Sequence, residues 1–242
     1  MKPICSYFLA SAGVLLIALA IYLFFRNEAI DMNKIPTLKL TLGQNIFVIL
    51  RDNHYDHDIS RHDDNTPVII ESPVQLDFAE PNIGFKLPPT RYLWLTQYAG
   101  IVTSLSTSPQ LEYWNLEKAH EFATQMMNKL VKLGWVVHRE YPLSYEEVRD
   151  MFDKSKAKNE KFWKDYGDYS SGDITLNIDI KQIILPETGN NLTEKDAIFL
   201  LNIHINNEEL SKRQGKITYG QRRKVNGTAN DPLPLSYWHN AP

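Results

Sequence analysis

The sequence holds a single cysteine, Cys5, in 242 residues. A lone thiol builds neither a disulfide framework nor a cysteine-based zinc site. Excess positive charge is also missing, since 26 Lys and Arg stand against 29 Asp and Glu for a formal charge of −3. Generic nucleic-acid binding draws on clustered positive charge, so this balance argues against it. The common catalytic signatures are absent as well: no G-x-S-x-G elbow, no G-x-x-x-x-G-K-[ST] phosphate loop, and no G-x-G-x-x-G after a strand. His120-Glu121 begins the H-E-x-x-H metalloprotease pattern, but Thr124 stands where the second imidazole is needed. An ordinary charged fraction of 23% and 11% aromatics exclude wholesale disorder.

What is present is unevenly spread. Ile4 to Phe25 is 22 residues without a charge. As a helix it would span about 33 Å, enough for a hydrocarbon core of roughly 30 Å. Signal peptide and retained anchor both fit such a run. Cleavage after Ala18-Leu19-Ala20 would leave Ile21 to Phe25 exposed at the new terminus, so the run reads as an anchor. Residues 1–26 are then the anchor, 27–36 a tether and 37–242 a globular domain, with a subdivision near 140–172. A large domain behind one N-terminal anchor translocates largely regardless of flanking charge. The expected arrangement is therefore a single-pass anchor with the domain on the external or periplasmic side.

Within the domain, Thr37 to Arg51 reads as a strand or a bulged pair around Gly43. Pro67 to Phe78 reads as strand interrupted at Pro73. Gly84 to Thr90 looks prolyl and irregular, and Tyr92 to Ser106 is rich in aromatic and β-branched residues. Asn115 is a natural N-cap for a helix with Leu116, Ala119, Phe122, Ala123, Met126, Met127, Leu130 and Leu133 on one face. Gly134 falls where a left-handed C-cap belongs. Trp135 to Arg139 follows as a strand, and Ser144 with Glu147 forms a capping box for a second helix. The segments Leu176-Asn177-Ile178-Asp179-Ile180 and Leu201-Asn202-Ile203-His204-Ile205 alternate alike, as two half-buried strands of one sheet do. The expected fold is α+β: an N-terminal transmembrane helix, then a mixed or antiparallel sheet packed with about two helices.

Charge is polarised. Asp52 to Glu80 holds eight acids and Arg61 as its one base, whereas Ser211 to Lys224 holds six bases and no acid. The loop from Asp52 to Asp64 places three histidines and five aspartates in 13 residues. It lacks the turn glycine and terminal glutamate of a calcium loop, and no rigid element spaces its ligands for zinc. No metal, cofactor or catalytic residue is therefore assigned. An acidic edge can steer and hold a basic partner, and aromatics in polar surroundings suit interface anchors. Asp56, Asp58, Asp63, Asp64, Trp163 and Trp238 are the partner-binding candidates.

Tyr98 to Pro109 (YAGIVTSLSTSP), Leu116-Glu117-Lys118-Ala119 and Leu130 to Trp135 (LVKLGW) form a pattern of their own. This glycine-started strand, Ser-Pro turn, Leu-x-x-Ala helix and Gly-Trp ending resembles envelope proteins of Gram-negative bacteria. Several of those look like immunity partners of type VI secretion effectors. The resemblance spans about 40 residues and carries over no site residue. It implies a non-enzymatic periplasmic binder, tethered to the inner membrane through residues 4–25, that occludes a cognate protein effector. A structural or assembly component of the envelope is the alternative.

Overall fold

The computed structural model describes residues 32–55, 67–98, 100–140, 143–183 and 197–214. The chain divides into two units, Met1–Ile35 and Pro36–Pro242. Of the first, a 3-10 turn over Met32–Lys34 is described. The apolar run 4–25 lies outside the described residues, as does its expected helix. Among the described residues, no helix is long and apolar enough to cross a membrane.

The second unit opens with β1 (Thr37–Leu40), which buries Leu38 and Leu40. The expected continuation of this strand to Arg51 is wrong. Asn45 adopts an extended conformation, and its side chain accepts from Phe47 N, capping α1 (Ile46–Asp52). Ile46, Phe47, Ile49 and Leu50 point inward from this helix, so the continuous apolar run is one helical face. Asn53, just beyond it, turns back onto β1. Its Oδ1 accepts from Lys39 N at 3.0 Å and its Nδ2 donates to Lys39 O at 3.3 Å. A side-chain amide thus occupies the outer edge of β1, where a further strand could otherwise pair.

The next four strands form one kinked ribbon. β2 (Val68–Ile70) pairs with β5 (Leu93–Tyr98), and β3 (Val74–Phe78) pairs with β4 (Phe85–Thr90). Both arms break at the same level, at Glu71 to Pro73 and at Arg91 to Tyr92. The tip of the ribbon joins β1 in a three-stranded sheet, β1-β3-β4, in which β1 and β3 are parallel. Phe85 to Thr90 is therefore a strand, contrary to the irregular segment expected from its prolines. Pro88 and Pro89 are tolerated because β4 is an edge strand and its register with β3 slips beside them, between Gln75 and Asp77.

The base of the ribbon enters a seven-stranded antiparallel sheet. Its order is β2-β5-β6-β10-β9-β8-β7, with β6 (Ile101–Thr107), β7 (Val136–Glu140), β8 (Trp163–Ser171), β9 (Ile174–Ile183) and β10 (Ile198–Asn207). The two look-alike pentapeptides are direct partners: Leu201 opposes Ile180, Ile203 opposes Ile178 and Ile205 opposes Leu176. Their shared alternation is the signature of two strands facing one core.

Two helices cover the inner face. α2 (Leu116–Lys132) is capped by Asn115, whose side chain accepts from Lys118 N at 2.9 Å. It ends before Gly134, held at φ +85°, a left-handed conformation that glycine adopts without steric cost. α3 (Tyr145–Ala157) opens on the complete Ser144/Glu147 capping box. Under them Phe152, Phe162 and Phe199 meet edge to face, with ring centroids 5.5 to 5.9 Å apart. Phe78, Phe85 and Trp135 continue the core toward the smaller sheet. Each such buried ring contributes on the order of 1.5–3 kcal/mol of hydrophobic stabilisation. A short α4 (Glu208–Gln214) follows β10.

The α+β expectation is thereby corrected. Strand dominates the described residues, and the fold is β-rich with two sheets. The expectation failed because the kinked ribbon creates a second sheet and Trp163–Ser171 adds a strand with no clear apolar alternation.

Candidate functional site

The inner face of the seven-stranded sheet is filled by core, and its outer face carries the polar residues. Register places one line of side chains across six strands. Trp94 opposes Ser106, Ser106 opposes His204, His204 opposes Asn177, Asn177 opposes Asp168, and Asp168 opposes Arg139. At about 4.8 Å per strand the line is roughly 24 Å long. One line on, Asn202 opposes Asp179 and Asp179 opposes Asp165. Trp163 opposes Lys181 one line further.

A bulge assembles the acidic part of this face. Residues three apart in a regular strand point to opposite sides, which would separate Asp165 from Asp168. The register of β8 slips between Asp165 and Gly167, so both aspartates share the outer face while Tyr166 turns inward. There its hydroxyl lies 2.8 Å from His120 Nδ1. Asn177 Nδ2 then donates to Asp165 Oδ1 and to Asp168 Oδ1, each at 3.0 Å. One amide holds two carboxylates in place.

The neighbouring groups are similarly fixed. Asn202 Nδ2 donates to Asp179 Oδ2 at 3.1 Å. Asp179 Oδ1 lies 3.3 Å from Lys181 Nζ, without the alignment of a hydrogen bond. Ser106 Oγ lies 2.7 Å from His204 Nδ1, and His138 Nε2 lies 2.5 Å from Ser170 Oγ. Burial lowers the His204 pKa from its ordinary 6.5; the Asp179 charge opposes this and Lys181 adds to it. The Tyr92 hydroxyl is raised, first by burial and then by Asp179.

Two indoles stand proud of this ordered polar surface. Trp94 is 40% exposed and Trp163 59% exposed. Four strand spacings separate β5 from β8, so the two rings stand apart on the polar face rather than meet over it.

Of the residues chosen from sequence, Trp163 lies on this face. Asp56, Asp58, Asp63, Asp64 and Trp238 lie outside the described residues, as do His57 and His62. His54 is exposed and holds a positive φ of 57°. Sequence reasoning missed Trp94, Ser106, Asp165, Asp168, Asn177, Asp179 and His204 as a group. Their signal was the polar half of the alternation in β9 and β10, which marks the outer face but not its neighbours.

Chemically, Ser106 and His204 form a hydroxyl–imidazole pair, the first element of a nucleophile–base arrangement. Among the described residues no carboxylate hydrogen-bonds the second His204 nitrogen. Nor does any group of three or more His, Cys, Asp or Glu there form a metal-ligand cluster. The arrangement is a rigid, hydrogen-bonded surface bearing exposed indoles. The chain matches no family model, no curated protein and no solved structure.

Proposed function

We propose that the chain is a non-enzymatic binding protein that receives a protein partner on the outer face of its seven-stranded sheet. The observation that carries this reading is the pair of exposed indoles, Trp94 and Trp163, standing apart on a polar surface already ordered by its own hydrogen bonds. Tryptophan is among the residues enriched at interface hot spots. Pre-ordered side chains also reduce the entropy lost on association.

The partner we propose is a secreted antibacterial effector, with the chain as its immunity protein. This rests on the resemblance of residues 98–135 to envelope proteins of that kind. Those residues include β6 and α2 and lead directly into β7. Occlusion of an effector requires complementary shape and charge and no chemistry of its own. The uncharged run 4–25 supports tethering to the inner membrane, with the binding domain in the periplasm where such an effector arrives.

The test has two arms. Deleting the chain should sensitise the cell to the effector encoded beside it, and the two purified proteins should form a stable complex. A deletion strain that survives that effector, or proteins that fail to associate, would overturn the reading. An alkaline phosphatase fused after Pro242 should be active, and a stable inactive fusion would reverse the topology.

A further inference from the structure

A separate groove lies between the edge strand β4 and α2. Its volume is about 370 Å³ and its lining includes Leu87, Phe122, Met126, Lys86 and Lys129, with Gln75 and Gln125 on the rim. That volume is at the small end of the roughly 300–1,000 Å³ range of small-ligand clefts. The floor is apolar: Leu87 and Met126 are almost completely buried and Phe122 packs on the core. Pro88 is also part of the wall. Without an N–H it offers no donor to an added strand, which disfavours an extended peptide pairing along β4.

The mouth is cationic and partly pre-ordered. Lys129 Nζ donates to Lys86 O at 3.1 Å and lies 5.7 Å from the Phe85 ring centroid. An ammonium has three donors, so this anchored group keeps two for a ligand. Lys86 Nζ, itself exposed, lies 3.5 Å from Asp77 Oδ2, a carboxylate only 20% exposed, so Lys129 is the less engaged of the two cations. No carboxylate lines the groove. Asp77 beside Lys86 and Glu121, which accepts from Gln125 Nε2 at 3.1 Å, offset part of this charge, so the mouth suits one negative charge better than two.

We propose that this groove binds a small amphipathic monocarboxylate, its apolar ring or chain on Leu87, Phe122 and Met126 and its carboxylate on Lys129 and Lys86. The site is independent of the outer sheet face, so it stands or falls apart from the proposed partner. The inference is tested by titrating 4-phenylbutanoate into the full-length protein in lipid nanodiscs, with the heat from empty nanodiscs subtracted. One-site saturable binding is expected. Lys129→Met, which keeps the apolar stem, should weaken it roughly tenfold or more, as loss of a charge-assisted contact does. Lys86→Gln should weaken it less, and neutral 4-phenylbutanamide should bind at least tenfold more weakly than the acid. Both lysines are exposed, so neither substitution threatens the core. Absence of saturable binding, equal affinity for acid and amide, or wild-type affinity in Lys129→Met would each overturn the assignment.

Discussion

Asn202 and Asp179 face each other across the β10–β9 ladder, joined by a 3.1 Å hydrogen bond from Asn202 Nδ2 to Asp179 Oδ2. The carboxylate is only 4% exposed, so its hydrogen-bond partners matter more than those of a surface acid. Asn202→Ala removes a donor from a buried charge, and the expected loss is about 1–3 kcal/mol in urea unfolding at neutral pH. Asn202→Asp should cost more, because like charges directly opposite on a sheet repel. An Asn202→Asp variant as stable as wild type at pH 7 would mean that the pair contributes nothing.

Trp163 separates binding from folding. Its ring is mostly in solvent, so Trp163→Ala should change unfolding free energy by no more than about 0.5 kcal/mol. If the outer face is the docking surface, the same change should weaken the effector complex at least tenfold, as truncation of an anchor residue does at about 2 kcal/mol. Calorimetric titration of wild type and variant against the effector measures both binding constants. Unchanged affinity in Trp163→Ala and Trp94→Ala together would move the interface elsewhere.

Acid should destabilise the protein through two histidines. Burial is the leading cause that lowers both His120 and His204 below 6.5, opposed at His120 by Glu146 and at His204 by Asp179. The fold therefore disfavours their protonation relative to the unfolded chain. Above pH 6.5 both states are neutral and no cost arises. As pH falls below 6.5 the unfolded state takes up protons first, and stability drops until the folded pKa values are passed. His204→Asn should flatten part of the fall in melting temperature between pH 7.5 and 5, and His120→Asn another part. An unchanged slope in the double variant would assign the acid sensitivity to other groups.

Local chemistry made much of this architecture legible. Asn115, Ser144, Glu147 and Gly134 mark helix ends by hydrogen bonding and backbone conformation that operate within four residues. The alternation in Leu176–Ile180 and Leu201–Ile205 marks two faces directly. α1 was missed because Ile46 to Leu50 is continuously apolar, which suits a buried strand or one helical face equally. β4 was missed because its prolines are acceptable only at an edge, and edge position is a property of the whole sheet. The candidate site was the least legible part. Trp94, Ser106, His204, Asn177 and Asp168 come from five strands and become neighbours only through strand register. The contact of Asp165 with Asp168 through one amide needs a bulge that no alternation announces.

That bulge rests on Gly167, and it links the core to the outer face. A Cβ there would lie 2.7 Å from Arg139 O and 3.0 Å from Tyr169 Oη, at a φ of +155°. The backbone oxygen cannot yield without shifting β7 against β8, so Gly167→Ala should cost on the order of 1–3 kcal/mol. The effect should be local as well as global. Amide exchange should accelerate in β7 and β8 more than in β9 and β10, because β7 is an edge strand whose ladder is with β8. Asn177 should then lose its simultaneous grip on Asp165 and Asp168, and partner affinity should fall even where the protein remains folded. Asn177→Ala separates the causes, since it breaks the fork without touching the bulge. Weak binding with normal β7 protection would locate the effect in the two carboxylates. Normal binding in Asn177→Ala together with weak binding in Gly167→Ala would instead locate it in the edge strand.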